Sequence, residues 1–158
     1  YGRVKRTGTP KIDGLFILHE GLIGVIDENL REKKYSKLED IDPIVGKTQK
    51  GELKYEPENI GGWVGITDKY WLAATIPDQK IKVEYFGFQH TFNKVNKYQS
   101  HWFGKPITIN PAETNQANAY IYAGAKKIEV LELDETPAYG LETKLKLGIN
   151  GVVECTKS

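Results

Sequence analysis

The stretch from Trp63 to Pro77, Trp-Val-Gly-Ile-Thr-Asp-Lys-Tyr-Trp-Leu-Ala-Ala-Thr-Ile-Pro, is the most apolar part of the chain and constrains its fold more than any other. Its β-branched and aromatic residues suit a pleated, half-buried surface rather than a helix. Asp68-Lys69 in the middle marks a bend, so the stretch predicts two strands in the central core. Trp63 and Trp71 are accordingly expected inside.

Most other segments read the same way. Gly14 to Glu20 and Leu22 to Ile26 are compact apolar runs with Gly21 between them, which suggests strands separated by a tight turn or a bulge. Asp27 to Asp40 carries Leu30, Tyr35 and Leu38 at positions that suit either an edge strand or a helical turn. Asp42 to Gly62 is broken by Pro43, Gly46, Gly51, Pro57, Gly61 and Gly62 and reads as loop. Ile81 to Phe88 alternates, with Ile81, Val83 and Tyr85 on one face, as a half-buried strand does. Ile107-Thr108-Ile109 and Ala119 to Tyr122 read as short strands, and Ala125 to Leu133 as helix or strand. Asn150-Gly151, between alternating flanks in Lys144 to Cys155, signals a tight hairpin. The chain is therefore expected to be mainly β, an antiparallel sandwich with few short helices.

Composition narrows the function classes. With 158 residues the chain suits one domain, 1–158, burying roughly two-thirds of its unfolded surface. Its 22 basic and 21 acidic residues leave a net charge of +1, without the surplus that a nucleic-acid binder uses. No apolar run approaches the ~20 residues that cross a bilayer. No charged segment followed by an apolar one opens the chain, so no signal peptide is expected. A chain that starts at Tyr1 and contains no Met reads as an excerpt or a processed product. Cys155 stands alone, so neither an internal disulfide nor a cysteine-based metal site is expected.

The motifs that carry chemistry are weak. Gly46-Lys47-Thr48 ends like a phosphate loop, but the required earlier Gly is Ile41, and Gln49-Lys50-Gly51 does not start a helix. Gly61-Gly62-x-x-Gly65 opens a strand, which argues against a dinucleotide fingerprint. His19, His90 and His101 are scattered, without metal-ligand spacing, and read as structural. His19 and Glu20 are adjacent and would point to opposite faces of a strand. No nucleophile elbow is present. No catalytic residue, cofactor site or metal site is expected. Tyr98, His101 and Trp102 lie among Asn, Lys and Gln in an exposed-looking setting and form the candidate contact surface. Arg3, Lys5, Arg6 and Lys11 suggest a solvated strand face, with attraction to acidic lipid headgroups as the alternative.

The run Gly61 to Asp78, Gly-Gly-Trp-Val-Gly-Ile-Thr-Asp-Lys-Tyr-Trp-Leu-Ala-Ala-Thr-Ile-Pro-Asp, resembles the large periplasmic domain of the bacterial membrane insertase YidC family. Arg3 to Gly8 leading into Leu15 to Gly21, and Tyr120 to Lys127, resemble the same family in the same order. The resemblance spans Tyr1 to Leu133, while Asp134 to Ser158, with Pro137 and Gly140, does not match the helical end of that family. The resemblance implies a β-supersandwich akin to galactose mutarotases, with further strands upstream of Tyr1. It also implies a non-catalytic module, without cofactor, on the periplasmic side of the inner membrane. Its parent, an insertase and chaperone, would integrate proteins into that membrane with or without the Sec translocon. Sec accessory subunits and nascent membrane proteins are the implied partners, and the membrane-embedded core lies outside these residues. The alternative is a carbohydrate-binding or mutarotase-like β-sandwich, with His90 and His101 as acid–base groups.

Overall fold

The computed structural model describes residues 1–10, 19–41 and 49–126. The apolar stretch divides where its charges fall, into β5 (Trp63–Thr67) and β6 (Trp71–Pro77). The bend is closed by the Asp68 N–H, which donates to the Trp71 carbonyl at 2.9 Å, and by the Thr67 hydroxyl, which reaches the same carbonyl at 3.2 Å. Upstream, Gly61 (φ 82°) and Gly62 (φ 99°) turn the chain into β5 in the left-handed region that favours glycine. A Cβ on Gly62 would lie 2.7 Å from the Val25 carbonyl oxygen. The Gln79 side chain locks this turn, accepting from Gly62 N at 2.9 Å and donating to Gly62 O at 3.0 Å.

Seven further strands and one short helix complete the described fold. They are β1 (Gly2–Thr7), β2 (Gly21–Ile26), β3 (Asn29–Lys34), α1 (Tyr35–Glu39), β4 (Gln49–Tyr55), β7 (Val83–Asn93), β8 (Val95–Gly104) and β9 (Ala119–Ala125). All pairings are antiparallel. One sheet has the order β1-β8-β7-β4 and the other β3-β2-β5-β6-β9. The expected antiparallel sandwich is what the chain forms.

Between the sheets lies a core of Leu22, Ile26, Val64, Ile66, Phe86, Phe88, Tyr98 and Trp102, with Tyr35 and Leu38 from α1. Two hydrogen bonds cross from one sheet to the other. Ser100 Oγ donates to the Gly65 carbonyl at 2.6 Å, and Trp102 Nε1 donates to Thr75 Oγ1 at 3.0 Å. The opposite face of the five-stranded sheet is also buried, through Ile23, Val25, Trp63, Leu72, Ala74 and Ile76.

Several expectations are corrected. Within the segment read as loop, Gln49–Tyr55 is a strand paired to β7, because Leu53 and Tyr55 alternate toward the core despite the flanking Gly and Pro. The segment left open between strand and helix contains both: β3, then α1, which buries Tyr35 and Leu38 three residues apart. Ile107-Thr108-Ile109 forms no strand, and Ile107 and Ile109 are exposed. In β7 an irregularity between Val83 and Tyr85 changes the phase, so the core-facing residues become Phe86, Phe88 and His90 instead of continuing the odd series. Of the run 14–20, residues 14–18 lie outside the described residues, and His19 and Glu20 precede β2 without joining a strand. Residues 46–48, 127–133 and 144–155 also lie outside the described residues.

Candidate docking site

The four-stranded sheet ends at β1, which packs over β5 and β6. The five-stranded sheet continues to β9. Register places Trp71, Ala73 and Thr75 of β6 opposite Ala125, Ala123 and Ile121 of β9. Thr75 points into the core, where it meets Trp102, so period-two alternation puts all six side chains on the core-facing side. Yet Trp71 is 62% exposed and Ile121 is 80% exposed. Among the described residues, no strand of the four-stranded sheet covers them. Trp71, expected in the core, has the right face and the wrong end of it.

Between β1 and this uncovered surface runs a groove of about 310 Å³, lined by Val4, Arg6, Ile66, Asp68, Trp71 and Ala123 among others. Its polar wall is built. Arg6 Nη1 donates to both carboxylate oxygens of Asp68, and Tyr35 Oη donates to the same carboxylate at 3.4 Å. Burial pushes the Tyr35 hydroxyl far above its usual range, so it stays a donor. The groove therefore offers an apolar floor, an indole at its mouth and one neutralised ion pair. Such a surface suits recognition by shape and apolar contact rather than by charge.

The expected contact residues go elsewhere. Tyr98 is fully buried and faces the core, where its hydroxyl donates to Glu39 and pairs with Thr9 Oγ1 at 2.7 Å. Burial first, and the Glu39 carboxylate second, push that hydroxyl up to about 12. Trp102 is 5% exposed and spans the core to Thr75. The exposed setting read for these residues is thus corrected: polar neighbours in sequence alternate outward while the rings alternate inward. His101 is buried too, but on the outer face of the four-stranded sheet, with Nε2 2.9 Å from Glu52 Oε1.

His90 and His101 share no cleft. His90 faces inward, stacked on Tyr98 at 5.2 Å, and its Nε2 pairs with Asn96 Oδ1 at 2.9 Å. Register puts them on opposite faces of the sheet. His19 is half-buried, its Nε2 donating to the Leu22 carbonyl at 3.0 Å, and burial lowers its proton affinity. Arg3 and Lys5 lie on the outer face of β1, Arg6 turns inward to Asp68, and Lys11 lies outside the described residues. Among the described residues no group of His, Cys, Asp and Glu is placed to hold a metal, and no helix is long and apolar enough to cross a membrane.

The signal that sequence reasoning missed is Ile121. It sits in a Tyr-Ile-Tyr triplet that reads as any half-buried strand, and only the sheet order reveals that its core-facing side is uncovered.

Fold and groove together define an all-β sandwich domain with an open apolar surface, at Trp71 and Ile121, at one end of the described sheets. Comparison with known proteins places it further. Residues 1–152 match the family model described as the YidC periplasmic domain. The match takes in residues 134–152, which the motifs alone left unassigned. Membrane protein insertase YidC of Sinorhizobium fredii is 36% identical over 148 residues, covering 93% of this chain and 23% of that protein. The proteins of the same name from Methylobacterium nodulans and Brucella melitensis are 39% and 40% identical, over 84% and 86% of this chain and 22% and 21% of their own lengths. This chain belongs to the YidC periplasmic domain family. It spans between a fifth and a quarter of the length of these relatives. No solved structure matches it.

Proposed function

We propose that this chain is a non-catalytic docking module of a membrane protein insertase, held on the periplasmic side of a bacterial inner membrane. Moving an apolar segment into lipid runs down a hydrophobic gradient and requires no acid, base or cofactor from this module. Integration, with or without the Sec translocon, belongs to other parts of the longer protein. The module's task is to hold partners, Sec accessory subunits foremost, and so guide nascent membrane proteins toward that machinery.

The observation that carries this reading is the uncovered core-facing end of the β6–β9 pair. Trp71 and Ile121 present apolar surface beside a groove, and a single exposed Trp is a favoured anchor for a partner. Titration of a purified Sec accessory subunit into the chain by calorimetry tests it. The double substitution Trp71→Ala, Ile121→Ser is expected to weaken binding by about tenfold or more, while the thermal midpoint changes little, because both side chains are exposed. Unchanged affinity in the double variant, or no binding by the unsubstituted chain, overturns the proposal.

A further inference from the structure

Among the described residues, the four-stranded sheet ends at β1, which packs over β6, while the five-stranded sheet runs one strand further, to β9. A strand set beside β1, at the ~4.8 Å spacing of a sheet, would therefore lie over β9 and cover Trp71 and Ile121.

The backbone of β1 is in phase for such a neighbour. Gly8 N donates to Asn96 O at 2.7 Å, and the unbroken register from Gly2 to Thr7 carries that phase along the strand. Gly2, Val4 and Arg6 thus direct their backbone groups to β8. The N–H and C=O groups of Arg3, Lys5 and Thr7 point away from β8 and meet no other described strand. Val4, Lys5 and Arg6 line the groove in succession, so the edge of β1, and not only one of its faces, borders it.

The side chains that fit follow from the two sides of this edge. On the inward side an added strand meets Trp71, Ala73, Ala123 and Ile121, an apolar floor that suits apolar residues. On the outward side it lies beside Arg3 and Lys5, both exposed, with exposed Lys97 across from Thr7 on β8. β1 carries no acidic residue, so acidic residues suit that side. A second copy of β1 is a poor match, because it would set Arg3 and Lys5 against their own counterparts. A helix is a poor match too, since its own turns already pair its backbone groups and leave those of β1 unmet.

We infer that an extended segment of a partner protein, with apolar and acidic residues in alternation, adds antiparallel to β1 and closes the groove. This rests on the docking reading above and adds how the partner is held: backbone hydrogen bonds along the edge, with the floor selecting alternate side chains. In this arrangement the acidic residues form hydrogen-bonded pairs with Arg3, Lys5 and Thr7. Their amides face β1, and those of the apolar residues face away.

Titration of the chain with the end-blocked peptide Glu-Val-Glu-Val-Glu-Val-Glu, followed by nuclear magnetic resonance, tests the inference. Saturable binding is expected, with amide hydrogen exchange at Arg3, Lys5 and Thr7 slowed about tenfold or more. The Lys-Val peptide of the same pattern is expected to bind about fivefold or more weakly. Lys5→Glu, at an exposed position, is expected to narrow or reverse that preference, with the amide spectrum reporting an intact fold. N-methylation of the glutamates is expected to abolish binding, and N-methylation of the valines to be tolerated. Absence of saturable binding, or equal loss from the two N-methylations, overturns strand addition. Neither outcome touches the effect of Trp71→Ala, Ile121→Ser on a Sec accessory subunit, which tests docking separately. In the longer protein, the Arg3, Lys5 and Thr7 amides are expected to exchange fast until a partner is added. Slow exchange there beforehand places the protein's own residues beside β1 and overturns the assignment to a partner.

Discussion

Asp27 shows how much one side chain can organise. With Glu28 it makes the two-residue turn between β2 and β3, both at positive φ (52° and 62°), a conformation that Asn-Gly would adopt with less strain. Asp27 persists there because its carboxylate accepts the backbone N–H of Glu58 at 3.1 Å and of Asn59 at 2.8 Å, tying the loop before β5 to the β2–β3 turn. Desolvation alone would raise its proton affinity, but the two backbone donors outweigh it and hold the carboxyl below the ordinary carboxylate value. The folded chain thus binds this proton less tightly than the unfolded chain does. The stabilisation is present above the unfolded value and is lost as pH falls through the depressed folded value. Urea midpoints at pH 7 and pH 3 should therefore differ less in Asp27→Asn than in the unsubstituted chain, and an equal or larger difference would remove Asp27 from the account.

At the scale of elements, strand positions were legible where turn residues and alternation agreed. Gly61-Gly62 and Asp68-Lys69 bracket β5 as read, and the short strand read at Ala119 to Tyr122 is β9, which the structure extends to Ala125. Phase was less legible. The irregularity after Val83 moves the core-facing set of β7 by one residue, and through cross-strand pairing it sets Tyr98, Ser100 and Trp102 of β8 inward. No composition signal announces such an irregularity, so the polar residues between the rings suggested exposure. Close strand approach is a second constraint at this scale. A Cβ on Gly65 would lie 2.4 Å from the Ala73 carbonyl oxygen, a backbone atom that cannot swing away. Gly65→Ala is expected to destabilise the chain by about 1–3 kcal/mol, read as a lower urea midpoint with an unchanged slope.

For the whole molecule, the register of the two sheets is set by the apolar core and pinned by two buried hydrogen bonds that cross it. Removing the donor of one leaves a buried hydroxyl without its partner. Trp102→Phe, which keeps a ring in the core but strands Thr75 Oγ1, is expected to cost about 1–3 kcal/mol by chemical denaturation. Pairing Trp102→Phe with Thr75→Val should recover part of that loss, since both polar partners are then gone. The same whole-molecule geometry decides the docking surface. Trp71, Ala123 and Ile121 lie on the core-facing side of β6 and β9, but among the described residues the opposing sheet stops at β1.

The residues by themselves determined the class of fold, the breaks between the central strands, and the family to which the chain belongs. Those properties rest on local chemistry: β-branched and aromatic runs, glycines that punctuate turns, charges at a bend. Tertiary structure alone decided which alternating face is covered, that His101 meets Glu52 across Gly87, where a Cβ would fall 2.4 Å from His101 Nε2, and that Trp71 is open while Trp102 is closed. A period of two fixes that side chains alternate, but not which side another sheet will cover. That choice is made by strands far apart in the chain, where no local pattern can register it.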